Sequence, residues 1–303
     1  MTALLDQSAP PRPASAMQGY LAALGTVGIW AGFILISRLG GKSALTGWDI
    51  AALRLGVGSL VVLPFSFNLP RSVWFDLKLW FLAMSGGAVF LVIIYAGLKL
   101  APAVHGGILV PGMQPFLVTI LAWIILGTRP PRQRVLALLP IAAGVIFVAM
   151  PTLTATTVDL STLAGDGLLV SASLSWALYS ILAKKWAYNP WVLTRFLALS
   201  SCLVYMPIYL LFCPKGLAET SVSMLLLQGL YQGIGPTVLA MLFFLRAVAI
   251  LGAERTGALI SLVPIISGVA AISVLGEPLS AWLIAGLFFV SGGAYLASRP
   301  IKG

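Results

Sequence analysis

The sequence predicts an all-α polytopic membrane protein in which ten transmembrane helices form two inverted five-helix repeats. The first observation is composition: 60% of the 303 residues are hydrophobic, 9% are charged, and the mean hydropathy is +1.03. A soluble domain carries roughly a quarter charged residues. The second observation is a series of ten long apolar runs, and the third is an internal repeat that relates the two halves of the chain.

The apolar runs have the length, roughly 17–25 residues, that crosses a bilayer as a helix. They lie at residues 19–39, 48–68, 77–98, 103–126, 133–150, 164–186, 191–212, 222–246, 255–275 and 280–298. Before them, the proline-rich residues 1–18 are expected to form a disordered cytoplasmic tail. The linker 151–163 is expected to separate a first five-helix repeat, 19–150, from a second, 164–299.

The internal repeat is clearest where residues 95–127 align with residues 244–276 without a gap, at an offset of 149 residues. Each copy contains a proline within an apolar stretch, Pro115 in the first and Pro264 in the second. Such a proline is tolerated in a membrane bundle, where neighbouring helices satisfy the freed carbonyls. We expect both prolines to be hinges. Because five is odd, equivalent spans should cross the membrane in opposite directions, as in inverted-repeat transporters.

Basic residues predict the orientation. With the N-terminus inside, thirteen of the 18 Lys and Arg residues fall in cytoplasmic segments, and the four outer ones are Arg38, Lys42, Lys99 and Lys215. This bias predicts that both termini are cytoplasmic, in a bacterial inner membrane. The net charge of +10 reflects these loop residues, so no nucleic-acid partner is expected. The two cysteines indicate neither a disulfide framework nor a metal site, and no cofactor is expected.

Aromatic and polar side chains within the spans are candidates for a solute-binding cavity. The candidate residues are Trp30, Tyr95, Gln114, Trp176, Tyr179, Tyr231 and Gln232. Trp30 and Trp176 occupy matching mid-span positions, and Tyr179 follows Trp176 on the same helix face. The alternatives are packing or an interfacial position for the tryptophans, and hydrogen bonding between helices for the glutamines.

Two further residues are candidates for an ion or charge role. Arg54 lies within the second span, five residues after Asp49. A charge in the membrane must pair or face water. Arg54 could therefore pair with Asp49, extend to the interface, or bind a substrate carboxylate. His105, the single histidine, lies near the outer start of the fourth span and could be an interface residue or a proton carrier.

Several motifs resemble the drug/metabolite transporter superfamily, and specifically its EamA-type branch, over nearly the whole chain from the first span onward. The residues that carry the resemblance are Trp30, Leu53-Arg54, Pro115, Pro264 and the sequence Leu275-Gly276-Glu277-Pro278. The Leu-Gly-Glu ending is a hallmark of that family. The first half departs from it, because Leu126-Gly127 is followed by Thr128.

The segment 175–179, Ser-Trp-Ala-Leu-Tyr, is similar to the bacterial aromatic amino-acid exporters. The resemblance implies a monomer in the lipid bilayer that exports aromatic and other hydrophobic or neutral amino acids by alternating access through a central cavity. The alternatives are a multidrug or nucleotide-sugar transporter of the same superfamily, or an integral membrane enzyme. One histidine and eight acids confined to tails, loops and span ends argue against an enzyme.

Energy coupling is expected to be absent. No acidic residue is predicted at the middle of the bilayer, where an ion-coupled transporter normally places one. The small multidrug pumps of the superfamily rely on a membrane glutamate, and this chain has no matching residue. The sequence therefore favours facilitated, gradient-driven movement, with His105 and Glu254 as the first residues to test if transport depends on protons.

Overall fold

The computed structural model describes residues 16–153, 159–278 and 280–299, and within these ranges the chain contains helices and no strands. We number the ten apolar helices in chain order. They are α1 Ala16–Gly41, α2 Gly47–Phe65, α3 Leu77–Leu100, α4 Ala103–Leu126, α5 Arg132–Leu153, α6 Leu160–Lys185, α7 Pro190–Phe212, α8 Val222–Leu251, α9 in two segments (Ala253–Ile260 and Val263–Leu275), and α10 Ala281–Ala297.

Among the described residues, nine helices, α1 to α9, are long and apolar enough to cross a membrane. The tenth, α10, has 17 apolar residues, which is at the short end of the spanning range. Most of the predicted tail, residues 1–15, lies outside the described residues, and α1 begins at Ala16. Of the predicted linker, residues 154–158 also lie outside them.

Local sequence fixes where several helices begin and end. Asp159 and Asn189 accept hydrogen bonds from backbone N–H groups in the first turns of α6 and α7. At the other ends, Gly127 follows α4 with φ 70° and Gly276 follows α9 with φ 63°. Glycine adopts this left-handed conformation without steric cost. The same ending therefore occurs at matching positions of the two halves.

Helices of one half pack mainly on helices of the other. The main contacts join α1 to α8 and α9, α6 to α3 and α4, α2 to α7, and α5 to α10. If each helix of the first half is replaced by the equivalent helix of the second half, so that α1 becomes α6 and α5 becomes α10, and the reverse, the same set of contacts results. This is the packing pattern that two structurally equivalent halves produce.

Three helices contain π-helical turns, which are frequent at functional sites. They lie at Met84–Ala88 in α3, Ile108–Gly112 in α4, and Leu227–Tyr231 and Gly235–Leu239 in α8. Gly86-Gly87 and Gly235-Pro236 lie within two of these turns, where regular helical hydrogen bonding is weakest.

Two helices are also interrupted near the middle. In α4 the interruption is at Met113, and in α9 it is a turn at residues 261–262. Pro115 and Pro264 lie in the first turn of the segment that follows each interruption. A proline fits there because the first-turn N–H has no partner within the helix. The candidate hinge of each helix thus lies just before the proline.

Candidate solute-binding cavity

Because successive helices cross the bundle in alternate directions, the connecting segments lie at two ends. We call one the Glu277 end; its described segments are residues 42–46, 101–102, 213–221 and 276–278. The other is the Gly127 end; its segments are residues 66–76, 127–131, 186–189 and 252.

A cavity of about 390 Å³ lies in the centre of the bundle. Its lining comes from α1 to α4 and α6 to α9, while α5 and α10 pack on each other outside it. The lining residues lie at mid-span in α1 to α4 and toward the Gly127 end in α6 to α9. The volume is within the range of roughly 300–1,000 Å³ that is usual for small-molecule sites.

Aromatic side chains form two opposite parts of the cavity lining. Trp176 of α6 contacts Phe90 of α3 and Tyr179, with ring centroids 5.0 and 5.1 Å apart. Trp30 of α1 stacks on Phe244 of α8 at 5.9 Å. Such faces suit the apolar or aromatic part of a solute, because ring–ring contacts favour offset or edge-to-face packing.

The polar groups of the cavity are few and held in place. Gln114 of α4 donates from Nε2 to the carbonyl and the hydroxyl of Ser173, at 3.0 and 2.9 Å. The hydroxyls of Ser180, Thr194 and Thr237 donate to carbonyls of their own helices. The lining therefore offers a few fixed polar positions in an otherwise apolar space, as small-molecule sites do.

Arg54 supplies the cavity with a cationic side chain. Its guanidinium carbon lies 5.0 Å from the centroid of the Phe33 ring, and Nη1 lies 3.4 Å from the Tyr95 hydroxyl. Asp49, the partner considered from sequence, is engaged elsewhere. It accepts hydrogen bonds from the Tyr209 hydroxyl at 2.5 Å and from the Gly216 N–H at 2.9 Å. The Arg54–Asp49 pair is not formed.

The structure brings together four of the seven candidate binding residues, Trp30, Gln114, Trp176 and Tyr179, and adds Arg54 to them. The other three lie outside the lining. Tyr95 is 1% exposed, behind Arg54. Tyr231 donates to the Ile29 carbonyl at 3.0 Å, and Gln232 donates to the Ser37 hydroxyl at 2.9 Å. These two residues join α8 to α1, which matches the alternative of hydrogen bonding between helices.

His105 also lies away from the cavity lining. Its Nδ1 is 2.8 Å from Oδ1 of Asp166, and both residues are buried. The contact joins α4 to α6 in the half of the bundle toward the Glu277 end. The side chain of Glu254, the other residue considered for proton coupling, lies outside the described part of the chain.

Glu277 is the residue whose importance sequence reasoning missed. It is 5% exposed and accepts hydrogen bonds from Arg38 Nε at 3.0 Å and from the Ala103 N–H at 2.8 Å, with Lys42 Nζ at 3.9 Å. Arg38 also donates to the carbonyls of Leu98 and Lys99. We call this group (Arg38, Lys42, Glu277 and the Ala103 N–H) the Glu277 latch. It joins α1, the start of α4 and the end of α9.

The signal for this latch was present in the Leu-Gly-Glu sequence. The left-handed Gly276 turns the chain so that the next side chain points back to the bundle. The partners, however, come from distant parts of the sequence, and Arg38 is 239 residues away from Glu277. Sequence alone placed Glu277 in an outer loop and gave it no function.

At the Gly127 end one buried contact also joins the two halves, because Arg195 donates to the Phe65 carbonyl and to the amide oxygen of Asn68. The other contacts described here are more peripheral. Tyr188 donates to Asp76 at 2.5 Å, and Lys185 donates to the Ile125 carbonyl at 3.3 Å. The Tyr188 hydroxyl lowers the pKa of Asp76 below its usual value. Burial, together with the Asp76 contact, raises the pKa of Tyr188 to about 12. Asp76 and Tyr188 belong to connecting segments and do not cover the cavity lining.

A bundle of long apolar helices around a solute-sized, mainly apolar cavity is the architecture expected of a polytopic membrane transporter. The sequence model of the EamA-like transporter family matches residues 17–150 and 163–299. The chain belongs to this EamA-like transporter family, which lies within the drug/metabolite transporter superfamily.

Two similar proteins agree with this assignment. A relative from Bacillus subtilis (strain 168), named "Uncharacterized transporter YyaM", is 26% identical over 216 residues, which is 70% of each chain. A solved structure described as "Crystal structure of protein" covers 93% of this chain and 97% of its own, with a TM-score of 0.64 and 18% identity. At that identity the likeness concerns the fold.

Proposed function

We propose that the protein exports amino acids with aromatic or other hydrophobic side chains from the cytoplasm of a bacterial cell, as a monomer in the inner membrane. The observation that carries the proposal is the cavity itself. Trp30, Phe90, Trp176 and Phe244 surround a space of about 390 Å³ next to a small set of polar groups. This combination suits a solute with one apolar and one polar part.

Alternating access requires that the cavity be closed on one side at a time. The Glu277 latch and the buried His105–Asp166 contact lie on the side of the Glu277 end. The lining extends instead toward the Gly127 end. With the orientation predicted from the basic residues, the Gly127 end is cytoplasmic. This arrangement corresponds to an inward-facing state that loads solute from the cytoplasm.

The exchange between states rests on two inverted repeats, residues 19–150 and 164–299. Support comes from the exchangeable helix contacts and from the matching glycine endings of α4 and α9. In transporters of this kind, one repeat rocks against the other around a fixed central site. The interruptions before Pro115 and Pro264 are the places where α4 and α9 can bend.

We propose that this movement is facilitative. The lining residues of the described part of the chain include no Asp or Glu, and His105 contacts Asp166 outside the lining. A proton site that competes with solute would need an ionisable acid close to it. Transport into liposomes with and without an imposed proton gradient tests this step. A several-fold acceleration that an uncoupler abolishes would contradict it.

The nucleotide-sugar alternative receives less support. A phosphate-bearing solute calls for several cationic groups. Arg54 is the one Lys or Arg among the lining residues that the structure describes. The cavity therefore suits a solute with a single anionic group.

The test is counterflow of radiolabelled phenylalanine into liposomes that hold the pure protein. Trp176→Ala removes a central aromatic face and should lower the rate several-fold, since an aromatic contact contributes roughly 0.5–1.5 kcal/mol. Trp123→Ala is the matched control, because Trp123 is 52% exposed and lies outside the lining. Equal rates for the two variants would remove α6 from the binding site. Absence of counterflow by the unmodified protein, for phenylalanine and other hydrophobic amino acids, would contradict the proposed substrate class.

A further inference from the structure

Three arginines of the described chain lie within or at the ends of the helices and are partly or fully buried, and they differ in how many of their N–H groups have partners. Arg38 contacts Glu277 and the carbonyls of Leu98 and Lys99. Arg195 donates to the carbonyls of Phe65 and Trp191 and to the amide oxygen of Asn68. Within the described part of the chain, Arg54 has one hydrogen-bond partner, the Tyr95 hydroxyl, at a long 3.4 Å. A guanidinium has five N–H donors, so most of those of Arg54 are available to a ligand.

Arg54 is also held in position without being neutralised. Phe33 lies under the guanidinium, and Tyr95 is packed edge-on to Phe33 with ring centroids 6.1 Å apart. Both aromatic residues are buried. They restrict the side chain to the cavity wall, so a ligand that binds it loses little side-chain freedom.

The described lining of the cavity offers a cation no carboxylate. The lining of the described chain includes no Asp or Glu, and its neutral oxygens belong to Ser180, Thr194, Thr237, Tyr179 and Gln114. Asp49, five residues from Arg54, already accepts hydrogen bonds from Tyr209, Thr46 and Gly216. An ammonium group would therefore find hydroxyl oxygens but no formal negative charge.

We infer that the cavity recognises its solute through the carboxylate, by way of Arg54, and that the α-ammonium group of an amino acid is not required. The chemical class of ligand is an aromatic or branched apolar monocarboxylate, with or without an amino group. The inference rests on the proposed function and specifies which half of the amino acid is recognised. An ionised carboxylate on a guanidinium forms the stronger, charge-assisted kind of hydrogen bond.

Four probes of one shape and different charge test the inference. They are 3-phenylpropionate, phenylalanine, 3-phenylpropanamide and phenethylamine, each radiolabelled and bound at pH 7 to the purified full-length protein. We expect 3-phenylpropionate to bind at least as tightly as phenylalanine. The neutral amide and the amine should bind about tenfold or more weakly, which is the effect of one charge-assisted hydrogen bond. This ranking is measured on the unmodified protein, so it does not depend on the folding of a variant.

Variants at Arg54 then test whether this side chain causes the preference for carboxylates. Arg54→Gln should lower the affinity for the two carboxylates about tenfold or more and change the affinity for phenethylamine by less than about threefold. Arg54→Lys retains the charge and should keep part of the carboxylate preference.

The outcomes separate this inference from the proposed function. Equal affinity for all four probes, or tighter binding of the amine, overturns the inference while solute transport remains. A carboxylate preference that survives in a monodisperse Arg54→Gln variant overturns the role of Arg54. If none of the four probes binds, the proposed substrate class fails and the inference fails with it.

Discussion

At each end of the bundle, one helix stops at a left-handed glycine, but the residues that follow the two glycines differ. At the Glu277 end, α9 ends at a left-handed glycine, Gly276, and the next residue is a buried glutamate. At the Gly127 end, α4 ends at a left-handed glycine, Gly127, and the next residue is Thr128, which is exposed. Glu277 binds Arg38 and the Ala103 N–H, whereas the Thr128 hydroxyl donates to the carbonyl of Ala122 in its own helix.

We infer from the comparison that one side chain, Glu277, biases which end of the bundle closes. The backbone ending is repeated, but the acid is present once. Glu277 joins helices of both halves, so it ties the Glu277 end together. At the Gly127 end the described contacts between the halves include an exposed donation of Lys185 to the Ile125 carbonyl, the Tyr188–Asp76 hydrogen bond and the buried donations of Arg195 to Phe65 and Asn68. None of these three contacts is an ion pair. If Glu277 holds its end closed, the cavity would be reached from the Gly127 end, toward which its lining extends in α6 to α9.

The largest effect is expected for Glu277→Gln, which removes the charge of the latch. The Arg38 side chain is 14% exposed, so it would remain nearly buried without its carboxylate. Breaking a buried ion pair by removing one partner costs about 3–5 kcal/mol. We expect the Glu277 end to open, which lowers the population of the inward-facing state. Phenylalanine export should then fall about tenfold or more.

A thiol-accessibility assay measures this opening. Ser37→Cys, in a background where Cys202 and Cys213 are alanine, reports access from the Glu277 end because Ser37 is buried below the latch. The reporter should react faster in the Glu277→Gln protein. Glu219→Gln, an exposed acid in a loop at the same end, is the matched control and should change nothing. An unreactive Ser37→Cys in both proteins would show that Glu277 does not hold this end closed.

The second largest effect is expected from the opposite change, in which an acidic residue is added at the Gly127 end. Thr128→Glu puts a carboxylate after Gly127, close to the basic residues Arg129 and Lys185. An exposed ion pair contributes up to about 1 kcal/mol, which is roughly a fivefold shift in a two-state population. We expect a cysteine in the cavity lining, such as Thr237→Cys, to react up to about fivefold more slowly with a reagent added from the Gly127 end. The decrease should match the shift in population. Thr128→Gln controls for size, and equal reactivity in the two variants would count against the comparison.

The third effect concerns the hinges. In Pro115→Ala or Pro264→Ala, the new N–H can join the two segments of α4 or α9 into a stiffer helix. We expect exchange between the two states to slow about two- to threefold, while the affinity for phenylalanine stays the same. Counterflow rates and equilibrium binding separate the two quantities. Unchanged rates in both single variants would contradict the hinge role.

The smallest effect is expected at the peripheral contact of the Gly127 end. Asp76→Asn weakens the contact with Tyr188 and should lower the free energy of unfolding by less than about 1 kcal/mol at pH 7. Because the pKa of Asp76 is lowered in the folded protein, its contribution is present above the usual value of 3.8 and is lost as the pH falls below it. Thermal unfolding in detergent should therefore show no Asp76-dependent change between pH 6 and 8. A loss comparable to that of Glu277→Gln would remove the contrast between the ends.

Sequence alone could predict where the apolar helices lie, because hydropathy and helix length follow from the thickness of the bilayer. Nine of the ten predicted spans are long and apolar enough to cross a membrane in the described part of the chain. It could also select Trp30 and Trp176, because both are aromatic residues inside their spans at matching positions, and both line the cavity. Arg54 was identifiable for a similar reason, as a charge within an apolar span. For these three residues, the position along the helix was enough to make them candidates, and all three line the cavity.

The face of the helix on which Tyr231 and Gln232 lie could not be predicted from the sequence. Tyr231 and Gln232 follow or end the π-helical turn Leu227–Tyr231, which adds a residue to the turn and rotates the following side chains. The sequence grouped both residues with the cavity candidates because they are polar side chains within a span, whereas the structure shows them in hydrogen bonds to α1. The Glu277 latch escaped prediction for another reason: it depends on three chain segments that meet only in the folded protein.

The most direct test of the account is the side from which the cavity is reached. Thr237→Cys, in the background without Cys202 and Cys213, places a thiol in the cavity lining. A membrane-impermeant thiol reagent is applied to inside-out and to right-side-out vesicles. The account predicts labelling in inside-out vesicles, little labelling in right-side-out vesicles, and protection by phenylalanine. Labelling confined to right-side-out vesicles, or labelling that phenylalanine does not slow, would contradict an inward-facing cavity that loads its solute from the cytoplasm.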